Sequence, residues 1–250
     1  MHTVSMASRE VLFSAFVEAA KGAPFYHSWL AGGHTLTPEM LAALPKVTLR
    51  QLEEHPEEFR SGRHSRNGKA KTFRYPLEHE PKVAMLMDGF RSTGRIRNFS
   101  DFDLDELSDL QSDTLAAPLA VMHRMTRLTL ALRYPAVVFT GPKLGYLTEA
   151  DRDEFWKVFG VPIFEQFTGL GGEVLAEECE AHEGLHIREA EAIFEVHRGE
   201  LLVTSLTRFE EPVFRLATGL HGRLEAAPCD CGRTSPRIVQ AAEKALAMSA

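Results

Sequence analysis

Apolar positions at three-four spacing open the chain. Val11, Leu12, Ala15, Phe16 and Ala19 share one face and predict a helix over 8–21, stopped by Pro24-Phe25-Tyr26. Thr37-Pro38-Glu39 opens a short helix with proline at its first position, and Thr48 caps another through Leu52. Residues 61–72 are polar, basic and glycine-containing, which predicts an exposed loop. Residues 80–91 are ambiguous: Val83, Met85 and Met87 alternate as in a strand, yet the run also suits a helix. Residues 103–133 read as helical, broken near Pro118. Ala136-Val137-Val138-Phe139-Thr140 is a short buried strand between Pro135 and Gly141. Thr148-Glu149-Ala150 then opens a helix that ends near Gly160, and residues 161–167 form another strand. Strand, helix and strand in that order predict a parallel pair with a right-handed crossover. After residue 173 the pattern turns β-rich, with a hairpin of 192–196 and 200–205 around His197-Arg198-Gly199.

Composition narrows the function classes. The 250 residues carry a net charge of -7, with 44% hydrophobic and 25% charged residues, as in an ordinary globular chain. An acidic balance argues against a nucleic-acid scaffold, which needs a basic face. No run of about 18 apolar residues predicts a membrane span. The odd, low cysteine count fits a reducing cytoplasm better than a disulfide framework.

Those cysteines carry the sharpest chemical signal. Cys229-Asp230-Cys231-Gly232-Arg233-Thr234 is a turn that aims two thiolates at one point, and Cys179 with His186 comes from the β-rich segment before it. Three thiolates and one imidazole make a structural zinc shell, closed and without an open position for catalysis. His182, at Cys-Xaa-Xaa-His spacing from Cys179, competes for the fourth place, and spacing alone favours neither histidine. His27, His123 and His221 have no partner pattern, and Asp101, Asp103, Asp105 and Glu106 read as a solvated helix start.

The segments Glu178-Cys179, Gly184-Leu185-His186-Ile187, Gly199-Glu200-Leu201-Leu202-Val203-Thr204, Arg215-Leu216-Ala217-Thr218-Gly219 and Cys229-Asp230-Cys231-Gly232-Arg233-Thr234 carry a family resemblance. Residues 167–238 resemble the end of the large domain of phenylacetate–coenzyme A ligase-type adenylate-forming enzymes. Ala23-Pro24-Phe25-Tyr26 and Leu44-Pro45-Lys46-Val47-Thr48 are similar, more weakly, to the family's opening helices. The resemblance favours His186 as the fourth zinc ligand. It implies a shortened relative, with a reduced first α/β subdomain and without the family's C-terminal lid and its catalytic lysine. The expected fold is α/β: a helical N-terminal arm over 1–75, a reduced α/β core over 76–173 and a β-rich zinc-stapled lobe over 174–250.

Several active-site parts that the resemblance implies are altered. The phosphate loop falls near residues 64–72 with one glycine, where Arg66, Lys69 and Lys71 remain as point charges; the plainer reading is a solvated basic loop. The glutamate that should contact phosphate and magnesium aligns with Gly171, and a two-residue slip would let Glu173 serve. The family's Gly-Gly-Glu turn appears as Thr140-Gly141-Pro142-Lys143. Arg215-Leu216-Ala217-Thr218-Gly219 ends on Leu220 where an aspartate should accept both ribose hydroxyls. The expectation is a pseudoenzyme that acts as a binding or partner subunit beside a catalytic homologue; a homo-oligomer is also compatible. The alternative is an active ATP- and Mg2+-dependent acid–thiol ligase that uses Glu173, Arg215 and a lid supplied in trans.

Overall fold

A computed structural model describes residues 6–31, 36–63, 71–99 and 112–241. Two compact units divide the chain, one built from residues 69–185 and the other from the chain before and after it. The fold is mixed α/β, rich in strands and poor in helix.

In the 69–185 unit, β1 (Val83–Met85), β2 (Ile96–Asn98), β3 (Thr114–Pro118), β4 (Ala136–Thr140) and β5 (Ile163–Thr168) run parallel in the order β2-β1-β3-β4-β5. Strand β6 (Val174–Glu178) closes antiparallel on β5. Every residue of β4 and β5 is buried, as parallel strands covered on both faces require. Along β4, Ala136 and Val138 pack with Met122, Met125, Phe155 and Phe159, while Val137 and Phe139 pack on the other face with Phe73, Phe90 and Phe164.

The predicted strand–helix–strand stands, with its helix at Glu149–Phe159. Thr148 accepts from the Asp151 N–H, the Asp151 carboxylate accepts from the Thr148 N–H, and left-handed Gly160 ends the helix. The ambiguous 80–91 run contributes strand β1. The helical reading of 103–133 is corrected in part: Thr114–Pro118 is a strand, and the helix spans only Leu119–Met125. Thr-Leu-Ala-Ala is too short an apolar run for periodicity to separate strand from helix, and Pro118 sets the point of change. Asp101, Asp103, Asp105 and Glu106 lie outside the described residues.

In the other unit, β8 (Ala192–His197), β9 (Glu200–Ser205), β10 (Leu216–Glu225) and β11 (Arg237–Gln240) form an antiparallel series in the order β8-β9-β10-β11. The expected hairpin turns at Arg198 and Gly199, both at positive φ. Strand β7 (Leu185–Ile187) precedes this series. The first helix, Met6–Ala20, buries Phe13, Phe16, Val17 and Ala20. Of the predicted stripe, Phe16 and Ala19 are fully buried, Leu12 and Ala15 are half-buried and Val11 is exposed, so the buried face extends beyond it to Phe13, Val17 and Ala20. The reason is aromatic: Phe13 and Phe16 both meet the ring of Phe214, Phe16 edge-on at 5.0 Å. Thr48 caps the helix Leu49–Glu54 in a full capping box with Gln51. Among the described residues no helix is long and apolar enough to cross a membrane.

Candidate metal centre and the strand ends

The Cys-Asp-Cys-Gly turn is built by its backbone. The Gly232 N–H donates to the Cys229 carbonyl at 2.8 Å, the Cys229 N–H donates to the Arg233 carbonyl at 3.2 Å, and Gly232 takes φ +81°. Both cysteines thereby stand on one tight loop. His186, 2% exposed on β7, brings Nε2 to 3.4 Å from Sγ of Cys231. Its Nδ1 faces Ser235, at 3.0 Å from the hydroxyl and 3.3 Å from the carbonyl. A proton on Nδ1 donated to that carbonyl leaves the Nε2 lone pair pointing at the thiols, the usual orientation of a metal-bound imidazole. Cys179, His186, Cys229 and Cys231 each offer one ligand atom, and the four atoms lie within 4.8 Å of one another. Tetrahedral zinc with bonds of about 2.0–2.3 Å separates its ligand atoms by about 3.5–3.8 Å. The donor set, the spacing and the second contact of His186 all fit zinc.

His182 takes no part in this group. Its Nδ1 lies 2.9 Å from Glu178 Oε1, and its ring packs against Phe164 at 4.8 Å. Behind it is a buried charge network that sequence reasoning missed. Arg152 reaches Glu178 Oε2 from both terminal nitrogens, at 3.2 and 3.3 Å, and Glu165 Oε2 at 3.4 Å. Glu165 Oε1 accepts from the Thr140 hydroxyl at 2.6 Å, and Glu178 Oε2 accepts from the Glu165 N–H at 2.8 Å. Glu165 and Glu178 are 1% and 3% exposed, so the charges are met inside the unit rather than by water. The signal was present: a glutamate within the apolar run Ile163–Phe167 is costly in a doubly covered strand unless it is paired.

His123 also gains partners. Asp151 lies 3.1 Å from one ring nitrogen and Glu154 3.3 Å from the other. Two carboxylates on opposite nitrogens make a clasp between the helices Leu119–Met125 and Glu149–Phe159.

In open parallel sheets ligands bind outside the carboxyl ends of the strands. There the 69–185 unit places its own side chains. A Cβ at Gly172 would collide with Lys71 Nζ and with Met87 just past β1, so both rest on that glycine. Lys71 also sits 5.6 Å above the Phe90 ring and reaches the Asp88 carbonyl at 3.4 Å. It is a half-buried packed residue, not part of a solvated loop, whereas Arg66 and Lys69 lie outside the described residues. Glu173 folds back over Gly169, where it would meet any Cβ, in a turn closed by Gly169 N–H to Glu173 carbonyl at 2.8 Å. Gly141 abuts the Thr168 carbonyl, and the Thr168 hydroxyl donates to the Thr140 carbonyl at 2.9 Å. Gly171 is exposed.

Arg215 and Leu220 belong to the other unit. Arg215, 5% exposed and at φ +53°, donates to the carbonyls of Leu44 at 2.5 Å and Ala42 at 3.3 Å, and to Glu195 at 3.3 Å. Its side chain ties the N-terminal segment to the strands. Burial pushes the Glu195 carboxyl above its ordinary range, against the pull of Arg215. Leu220 is buried in β10 at 8% exposure.

No family model matches the chain. No curated protein matches it either. Solved structures do. 2-Hydroxyisobutyryl-CoA ligase in complex with 2-HIB-AMP and CoA, in its thioesterification state, aligns at 14% identity and a TM-score of 0.66, over 95% of this chain and 68% of that one. An open conformation of the same ligase aligns at 14% identity and a TM-score of 0.65, over 92% and 67%. The chain therefore has the fold of adenylate-forming acyl-CoA ligases, as the sequence resemblance implied.

Proposed function

We propose that this chain is a phenylacetate–coenzyme A ligase relative that keeps the family's lobe, stapled by one zinc ion, and no longer adenylates an acid. It acts as a binding or partner subunit. The observation that carries the reading is the self-filled end of the parallel strands: Lys71 and Met87 resting on Gly172, with Glu173 folded over Gly169. An incoming triphosphate would have to displace these contacts to reach the backbone N–H groups of the glycine turn. Buried Leu220 supports it, because an apolar side chain leaves ribose hydroxyls without an acceptor. Zinc would be held by Cys179, His186, Cys229 and Cys231, where it supplies cohesion and no chemistry.

One observation favours a second reading. Glu173 stands beside Gly169 at the carboxyl end of β5, the neighbourhood in which a magnesium-binding carboxylate would serve an active ligase. Calorimetric titration with ATP and Mg2+, followed by pyrophosphate release with a panel of aryl and alkyl acids, separates the two. The first reading expects no saturable heat and no turnover. Turnover that Glu173→Gln abolishes establishes the second.

A further inference from the structure

Cys179 follows directly on β6 and is the one thiol that the Cys-Asp-Cys turn does not carry, so something else must fix its backbone. Three contacts do so, all within the 69–185 unit. Before it, the Glu178 carboxylate is held across the sheet by the Glu165 N–H and by both terminal nitrogens of Arg152. After it, the His182 N–H donates to the Cys179 carbonyl at 3.0 Å and closes a tight turn. That turn places His182 at φ +52°, a region uncommon outside glycine that histidine enters more readily than most side chains. Such a residue persists where its surroundings over-determine it. Here the Glu178 carboxylate at 2.9 Å and the Phe164 ring at 4.8 Å hold the imidazole.

We infer that His182, through Glu178 and Arg152, is a positioning residue that presets Cys179 for metal and slows metal release without being a ligand. The inference rests on the zinc reading above. Partners behind a ligand typically set metal affinity by about 10–100-fold, and the same range is expected here for release. The His182 side chain is 42% exposed, so its loss should not unfold the protein.

The test compares zinc-loaded wild type with His182→Gly and His182→Asn, under conditions where each is folded by circular dichroism. Bound zinc is counted by elemental analysis, and its release into a chromogenic chelator is timed. Glycine accepts the positive φ and removes the ring, so it separates backbone strain from side-chain positioning. Asparagine tolerates the same φ and keeps a donor for Glu178. The expected result is one zinc per chain in all three proteins, release about 10–100-fold faster for glycine, and asparagine nearer to wild type. Release from the glycine variant at the wild-type rate overturns the inference and leaves the zinc reading standing. Loss of bound zinc from that variant makes His182 a ligand and also overturns it. Wild type that holds no zinc removes both readings.

Discussion

Arg152→Met is the sharpest perturbation of the 69–185 unit. Arg152 sits between two carboxylates that are almost wholly enclosed, Glu165 and Glu178, and is itself one-quarter exposed. Methionine keeps much of the aliphatic volume and removes the guanidinium that reaches both. Deleting one partner of a buried pair typically costs about 3–5 kcal/mol, because the remaining charge stays buried and unmatched. The partial exposure of Arg152 admits some water, and Glu178 keeps the Glu165 N–H and His182 as partners. The lower end, about 3 kcal/mol, is therefore expected, and it should lower Tm by roughly 6–12 °C. The mechanism can be isolated with a second change. Glu178→Gln removes the orphaned charge, so the Arg152→Met/Glu178→Gln double variant should be less destabilised than the two single losses added together. The gap should fall within about 0.5–3 kcal/mol, as for residues in one network. Urea unfolding followed by circular dichroism measures all four proteins. A cost below about 1 kcal/mol for Arg152→Met, or strict additivity in the cycle, would refute the claim that this arginine neutralises two buried carboxylates.

Four further outcomes follow from other parts of the molecule. Tyr26→Phe removes the phenol oxygen that accepts the Phe214 N–H at 2.9 Å in a fully buried setting. It should cost about 1–3 kcal/mol by thermal or urea unfolding, and no change would mean that another acceptor takes over. Glu195, whose burial raises its carboxyl above the ordinary range, adds stability below its unfolded pKa and loses it as pH rises through the folded value. The Tm of Glu195→Gln relative to wild type should therefore rise between pH 4 and pH 7, and a constant difference would show that the carboxyl does not titrate with folding. Cys231→Ser should lose bound zinc by elemental analysis and loosen the C-terminal strands to limited proteolysis, because structural metal binding is coupled to folding; a serine variant with undiminished zinc would assign the ion elsewhere. Replacing Gly172 with alanine should lower Tm, because the glycine sits at φ +77° and a Cβ there also meets Lys71 and Met87; an unchanged melt would mean that the turn and both side chains yield at no cost.

The sequence was most legible where a local rule acts on a few neighbouring residues. Thr148 with Asp151 and Gly160 marks both ends of one helix, and Thr48 with Gln51 marks the start of another. Cys229-Asp230-Cys231-Gly232 builds its turn from its own backbone hydrogen bonds. It was least legible where partners lie far apart in the chain. The buried face of the first helix is widened toward Phe13 by Phe214, some two hundred residues on, so periodicity found Phe16 and Ala19 but missed Phe13 and counted the exposed Val11. Arg152, Glu165 and Glu178 are ordinary charged residues until parallel pairing of β4 with β5 and the return of β6 bring them together. Arg215 looked like part of a nucleotide motif, yet its Nε bonds Glu195 and its Nη1 bonds the carbonyls of Ala42 and Leu44.

Arg215 has a structural task that does not depend on any nucleotide. A guanidinium that tethers the carbonyls of Leu44 and Ala42 is needed for packing whether or not a nucleotide binds. The same holds for Thr218, whose hydroxyl donates to the Leu201 carbonyl at 2.7 Å and accepts from the Leu220 N–H at 3.0 Å. Leu220 has no such bond to make through its side chain, and it is buried in β10. An aspartate there would bring a charge into that setting and would need a partner to offset its desolvation. On the reading proposed above, motif residues with a structural bond are kept, while Leu220 occupies the position whose side chain would serve a ligand alone. Introducing a carboxylate by Leu220→Asp should accordingly destabilise the protein and confer no nucleotide binding, and a variant that melts like wild type and binds ATP would contradict this account.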